Sequence, residues 1–581
     1  MTGWHGRLLE VDLNSGHIQS QKLAPELLQN YLGGRGLGVR LLRDYYQCEP
    51  FSAEIPLIFS VGPLCGTPAP TAARLSVVSR SPLTRTVYDC SAGGRFAWRL
   101  KAAGFDALRI VGRSDSPQVL KITPQGGELL PADDLWGKTV SATVKALEPF
   151  GSVAAIGPAG ENRVLFANIM MGEGNSVGRG GLGAVMGAKR LKGICVAGDL
   201  KTEIQDRAQF DRARNDVIRL FNASPVIFGD LGIAQYGTPA LVDLLAQRRM
   251  APTENFRKTY FPAADHYSGP AIRKQYQPKK HGCYGCPIQC KKSTQDGTPL
   301  PEYETVNHFG ALNGITELRS IINSNNLCNQ LGMDTISAAA TLSAWGEIRG
   351  EFPRAENIAQ LLQQMAQRQE VGELLAEGAE RVAQQLGRPE LSMSVKGLEL
   401  PAYDPRGAYG MALAYCTSNR GGCHLRAYPI AHEILRKPVA TDRFDFAGKA
   451  RMIKIAEDCN AAIDSLVACK FSFFAAGPGL EEYAELLTAT TGVDYSPQRL
   501  KELGERIYLT ERYYNQENGF TAADDLLPER FFTEPGSSGD GIEVPPIDRQ
   551  RFDEELQKYY RIRGLDEQGR LPQTNFLEQQ V

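Results

Sequence analysis

Up to about residue 200 the chain consists of short apolar runs broken by glycine and proline. The alternation in Arg7-Leu-Leu-Glu-Val-Asp-Leu13, the turn residues Asn14-Ser15-Gly16 and a second polar–apolar stretch predict a β-hairpin. Ala107–Val111, Val119–Ile122 and Ile194–Ala197 predict further strands. From Gln209 the period changes. Phe210, Val217 and Leu220 recur on one helical face, which predicts a helix over Phe210–Phe221. Ala359–Leu386 is dense in Ala, Gln, Glu and Leu, the helix-forming set. Ile315–Leu331, Thr335–Ile348, Lys449–Ser465, Leu480–Thr491 and Leu500–Tyr514 also read as helices. A charged, proline-bearing tail runs from Pro528 to Val581, and Gly536–Gly541 within it predicts a flexible loop. The fold class expected is α+β: a β-rich N-terminal domain (1–207) followed by two mainly helical domains (208–393 and 394–581).

Composition narrows the function classes. A chain of 581 residues is too long for one core and suggests roughly three or four domains. Lys plus Arg (64) balances Asp plus Glu (66), so no net field favours nucleic acid or an anionic membrane, and neither is expected as a partner. No apolar run approaches the ~20 residues of a spanning helix. The N-terminus lacks a cationic segment followed by an apolar one, so a cytoplasmic home is expected. There the 12 cysteines serve as thiols or metal ligands.

The sharpest local signal is His281-Gly-Cys283-Tyr-Gly-Cys286-Pro-Ile-Gln-Cys290. Three thiolates at this spacing can wrap one soft metal centre. An iron–sulfur cubane needs a fourth ligand, and nothing nearby supplies it. A structural zinc completed by His281 or a distant cysteine is the alternative reading. Two glycine-rich stretches, Gly33–Gly38 and Gly178–Gly183, could approach phosphate closely, with an arginine in each. The second matches GxGxxG, with Asp199 downstream. A dinucleotide site is not expected there, because Met171–Ser176 separates the glycines from the preceding apolar run and the helix-compatible stretch that follows is short. Glu304 and His424 are a carboxylate and an imidazole of the kind that move protons near neutral pH.

Read together, these pieces resemble the aldehyde ferredoxin oxidoreductase family of tungsten–pterin enzymes over nearly the whole chain. The resemblance is carried by Tyr31–Leu37, Gly62-Pro-Leu-Cys-Gly66, Arg74 with Ser81–Thr84, and Gly157–Asn162. It continues through Gly178–Gly187, Pro301-Glu-Tyr-Glu304, Leu400–Gly407 and Asn419-Arg-Gly-Gly-Cys-His424. It implies a β-rich domain cradling a tungsten bis-pyranopterin, and helical domains completing the site and a substrate channel. Cys283, Cys286 and Cys290 match the clustered ligands of a [4Fe-4S] cubane, and Cys469 the remote fourth, which favours iron–sulfur over zinc. Arg74 matches the residue between cluster and pterin. Ser91, Ala92, Gly93, Arg179, Gly180 and Gly181 match pterin and phosphate contacts in the first domain. Leu331, Gly332, Met333, Asp334, Arg426 and Asp464 match contacts from the other two. Glu304 and His424 match the acidic and imidazole groups beside the metal, and Mg2+ is expected to bridge the pterin phosphates.

Departures from the family pattern also matter. Asn329 replaces the aspartate that opens the first DxxGL motif, and Asp464-Ser-Leu-Val-Ala468 lacks the Gly-Leu of the second. Asn323 and Asn326 stand where some relatives carry the ExxH pair of a dimer-interface iron, so no interface mono-iron is expected. The activity implied is oxidation of small aldehydes to acids, with Glu304 taking a proton and His424 hydrogen-bonding the carbonyl oxygen. With no second cysteine cluster and no flavin or nicotinamide fold, an external acceptor must collect the electrons; a ferredoxin is the simplest choice, and the absent interface iron favours an assembly with a ferredoxin-like subunit that could feed an NAD-reducing flavoprotein. The alternatives are a benzoyl-CoA reductase-type subunit on the same cofactor, and a non-catalytic iron–sulfur or zinc scaffold.

Overall fold

A computed structural model describes residues 2–475, 477–537 and 542–572. Most of the expected loop after Gly536, residues 538–541, and the last nine residues of the tail lie outside the described residues. The β-rich region holds two six-stranded sheets. The first contains β1 (Arg7–Asp12), β2 (His17–Lys22), β3 (Leu57–Ser60), β4 (Leu75–Arg80), β5 (Val87–Ala92) and β6 (Ala107–Val111). The second contains β7 (Gln118–Thr123), β8 (Gly126–Pro131), β9 (Ser152–Ala155), β10 (Ile169–Met171), β11 (Asn175–Val177) and β12 (Leu191–Val196). Their orders are β2-β1-β6-β3-β4-β5 and β11-β10-β9-β12-β7-β8. The expected hairpin forms, with Arg7 opposite Lys22 and Asp12 opposite His17. Strands β3, β4 and β12 are buried along their whole length, and β3 (Leu-Ile-Phe-Ser) accordingly reads as a run rather than an alternation.

The sheet topology excludes a dinucleotide fold at the second glycine segment. β10 pairs antiparallel with both β9 and β11, and β9 pairs antiparallel with β12. The Leu182–Ala188 helix therefore joins β11 to a strand of opposite direction, and no βαβ unit exists there. The first glycine segment is also not a phosphate loop. Gly34–Leu41 is a buried helix. A Cβ at Gly34 would lie 2.2 Å from the Asp464 carbonyl oxygen, and one at Gly38 would lie 2.3 Å from Val78. These glycines let the helix pack tightly against its neighbours.

Beyond residue 207 the chain is mainly helical. The helices Lys449–Ser465 and Leu480–Thr491 have the bounds expected, and Phe210–Phe221 lies within Arg207–Ala223. Ala359–Leu386 is not one helix. It divides into Ala355–Gln367, Val371–Leu375 and Ala379–Gln385. The breaks fall at Arg368 and Glu370, both at φ 51°, and at Gly378, at φ 86°. Arg and Glu are strong helix formers, so composition hides the first two breaks. The charged tail contains the Arg549–Arg563 helix, which buries Phe552, Leu556, Tyr559 and Tyr560 on one face. Among the described residues no single helix is long and apolar enough to cross a membrane.

Candidate active site

The cavity opens where β5 meets β11 and the helical region closes over both. It holds about 2210 Å³ of space between atoms, part of it open solvent. The cysteine loop is held between two short paired strands, β13 (Lys279–His281) and β14 (Lys291–Ser293). Their pairing turns Cys283, Cys286 and Cys290 into the cavity wall, and Cys469 lines the same wall. Cys469 arrives by a tight turn after the Lys449–Ser465 helix, its N–H donating to the Thr71 carbonyl at 3.1 Å. A Cβ at Gly93 would lie 2.3 Å from Cys283 Sγ and 3.2 Å from an Arg74 nitrogen. Only glycine leaves room there for the sulfur. Arg74 donates to the Ser91 hydroxyl and carbonyl, each at 3.0 Å. Burial alone would lower its pKa, yet Cys469, Cys283, Asp464 and Cys290 together hold it above the usual value.

The floor of the cavity is a balanced charge network. Arg35, fully buried, forms a bidentate pair with Glu511, both bonds 2.6 Å, and reaches Asp464 at 3.4 Å. Arg426 pairs with Asp89 and with Asp464 (3.3 Å), and Lys470 donates to Asp464 at 3.0 Å. Burial would raise the Asp89 carboxyl, but Arg426, Arg35 and Arg420 reverse this and keep it well below the carboxylate range. Arg426 Nε remains buried with no hydrogen-bond partner. On the opposite wall Arg179 donates to Asp334 (3.1 Å) and to the Glu399 carbonyl (2.7 Å). Asp334 also caps the Thr335–Arg349 helix through Ile336 N–H. Buried cations that line a cavity in this way suit anionic, phosphate-bearing groups.

Glu304 stands in the first turn of the Tyr303–Phe309 helix, with one carboxylate oxygen accepting from Ala402 N–H at 2.9 Å. The other oxygen lies 3.5 Å from His424 Nε2. Glu304 Oε1 and His424 Nδ1 are both buried without a hydrogen-bond partner among the described residues. Burial raises the Glu304 pKa to about 8. Burial, reinforced by Arg179 and Arg420, pushes His424 well below its usual value, so the imidazole is neutral. Tyr403, Tyr428 and Phe474 form an aromatic wall beside this pair, with Tyr428 stacked on Phe474 at 4.1 Å.

The cavity wall brings together Arg74, Ser91, Gly93, Arg179, Met333, Asp334, Arg426, Asp464, Glu304 and His424 with the four cysteines. It does not include Ala92, Gly180, Gly181, Leu331 or Gly332. A Cβ on Gly180 would strike the Tyr88 ring, and one on Gly181 would lie 2.0 Å from the Leu165 carbonyl oxygen, so both serve close packing. Asn329 does line the cavity. The sequence reading missed Asp89, Glu399, Glu511 and Lys470, the charge partners of the site's cations and of Asp464. It also missed His308, whose ring lies 3.6 Å from the Glu304 carboxylate one helical turn on. The four-residue interval from Glu304 was the only signal for it.

The domain models of one family cover most of the chain. The N-terminal domain of aldehyde ferredoxin oxidoreductase matches residues 8–198, and its domains 2 and 3 match residues 212–579. The tungsten-containing aldehyde ferredoxin oxidoreductase of Pyrococcus furiosus is 39% identical, covering 100% of this chain and 99% of its own. That of Thermococcus kodakarensis is 40% identical over 98% of each. Among solved structures, the active-site complex BamBC of benzoyl coenzyme A reductase superposes with a TM-score of 0.84 at 23% identity, over 100% of this chain and 97% of that one, which shows a shared fold. By the length and identity of these matches, the chain belongs to the aldehyde ferredoxin oxidoreductase family.

Proposed function

We propose that this chain oxidises small aldehydes to carboxylic acids at a tungsten bis-pyranopterin, and that the electrons leave through one [4Fe-4S] cubane to a ferredoxin or ferredoxin-like subunit. An NAD-reducing flavoprotein would be a later stage of the same assembly. The observation that carries the reading is the Glu304–His424 pair, each with an unpartnered buried atom, in one cavity with four thiols and three buried arginines. The cavity residues fit the groups concerned. Arg74, Arg179 and Arg426 would hold the pterin and its phosphates, with Mg2+ to offset their charge, and Cys283, Cys286, Cys290 and Cys469 would hold the cubane. No iron is proposed at Asn323 and Asn326.

When bound, the tungsten centre supplies Lewis acidity and takes up the electron pair, and the cubane relays electrons singly. The protein's part is proton handling and positioning. Glu304, deprotonated, accepts at Oε1 the proton of the water whose oxygen becomes the new carboxyl oxygen. His424, neutral and so carrying a single ring N–H, donates it from Nδ1 to a substrate oxygen as charge develops there, and its bare Nε2 faces Glu304 Oε1 at 3.5 Å. The Tyr403, Tyr428 and Phe474 rings keep bulk water from the pair. Replacing Glu304 with Gln keeps the shape and removes the base. Turnover of an aldehyde panel with a dye acceptor is expected to fall about 100-fold or more, with tungsten and iron content unchanged. Wild-type turnover in that variant would discard the assigned role.

A further inference from the structure

We infer that an acidic one-electron carrier protein docks on the basic face surrounding the cysteine loop, an inference that rests on the cubane assignment proposed above. From Ser268 to Gln295 the chain carries Arg273, Lys274, Lys279, Lys280, Lys291 and Lys292 and no Asp or Glu, in a protein whose formal net charge is −2. Lys291 is taken up by Glu302, and Lys292 is buried against backbone carbonyls. Arg273, Lys274, Lys279 and Lys280 are exposed, and none makes an ion pair among the described residues. Lys279 and Lys280 are held in place by Gln295 O and Gln235 Oε1, so their charge sits at fixed points. Exposed Arg95 joins them from the first domain, because its neighbour Gly94 accepts from Tyr284 N–H at 3.1 Å.

The cysteine loop itself is exposed on this face. Gly282, Tyr284, Gly285 and Pro287 are exposed, and Cys283 and Cys286 are only half-buried. Tyr284, 41% exposed between the first two ligands, stacks on Trp98 at 4.1 Å, and Arg99 lies 4.2 Å over the far ring. An exposed aromatic stack in the same loop that Lys279 and Lys280 flank offers an apolar contact beside fixed positive charge, the anatomy of a transient protein interface. Electron transfer weakens steeply with distance, and a carrier seated against this exposed loop touches the residues that separate the ligands. A positive rim steers an acidic partner and raises its rate of encounter.

The test compares two acceptors for the holoenzyme: a ferredoxin of strongly negative net charge and the small dye benzyl viologen. In the Lys279→Glu/Lys280→Glu double variant, dye-linked aldehyde oxidation should stay within about twofold of wild type, while kcat/KM for the ferredoxin falls by about tenfold or more. Raising salt from about 0.05 to about 0.5 M should depress ferredoxin reduction by wild type steeply and by the variant little. Equal loss with both acceptors, no loss with ferredoxin, or a wild type that reduces dye but not ferredoxin would overturn the docking face. Binding of the basic face to anionic vesicles with unaltered ferredoxin kinetics would also overturn it. Failure of wild type to oxidise any aldehyde with dye would instead reject the proposed activity.

Discussion

At the residue scale, Glu304, as the proposed base, is expected to set the pH dependence. Its carboxyl ordinarily titrates near 4.5 and is raised to about 8 by burial. Between those values the native state holds a proton that the unfolded chain does not. Its contribution to stability is therefore full below about pH 4.5 and is lost as pH rises through about 8. Catalysis has the opposite sign, since the base must be deprotonated. The expected kcat/KM rises about tenfold per pH unit up to about pH 8 and then levels, and this limb is absent in Glu304→Gln. A flat wild-type profile over the same interval would contradict the base assignment. Backbone strain gathers at the same site. Thr71, Tyr428 and Val467 all have positive φ, and Val467, at 54°, stands where the second DxxGL motif normally has glycine. Gly332 of the first motif takes the same conformation at φ 78°. A β-branched residue there costs about 1–2 kcal/mol. The offset is packing: Val467 is 1% exposed, and its methyls fill the space left by Gly34 and Gly62.

At the scale of elements, the Arg549–Arg563 helix does more than end the chain. Arg563 is fully buried and donates to Glu457 (2.8 Å), Asp458 and the Tyr559 hydroxyl (3.0 Å), fixing this helix to Lys449–Ser465, which carries Asp464 into the cavity. Replacing Arg563 with Met would leave Glu457 buried without a cation, while Asp458 would keep only Lys454, at 2.8 Å. A loss of about 3–5 kcal/mol is expected, read as a lower denaturation midpoint. A change below about 0.5 kcal/mol would show the network to be dispensable. The elements that were legible in the sequence, such as the first hairpin and the Lys449–Ser465 helix, are those whose period and turn residues agree. What stayed hidden was of two kinds. Breaks at Arg368 and Glu370 depend on tertiary packing that overrides propensity. Glycines that read as phosphate loops, such as Gly34 and Gly38, proved to be packing contacts, because a glycine needed for a close backbone approach looks the same in sequence as one needed for a ligand. The three adjacent cysteines could be read from spacing, but Cys469 could not. Only the resemblance singled it out, and the turn at Thr71 places it.

At the scale of the whole molecule, residues far apart in sequence meet at one cavity. β5 and β11 supply Ser91, Asn175 and the Arg179 turn, the Lys279–Ser293 hairpin supplies three thiols, and the helical region supplies Glu304 and Asp464 from helices and Asp334, His424 and Cys469 from the turns and caps between them. The buried cations of the floor are matched by Asp89, Asp464 and Glu511, so the fold can hold charge at its centre without net repulsion. The arrangement makes the β-rich region one half of a clamp whose other half is helical. Metal analysis of the purified wild-type protein, paired with Cys469→Ser, tests this account most directly. One tungsten and four irons per chain are expected in wild type, with the iron depleted in the variant. Zinc in place of iron, or an unchanged cluster in the variant, would contradict it.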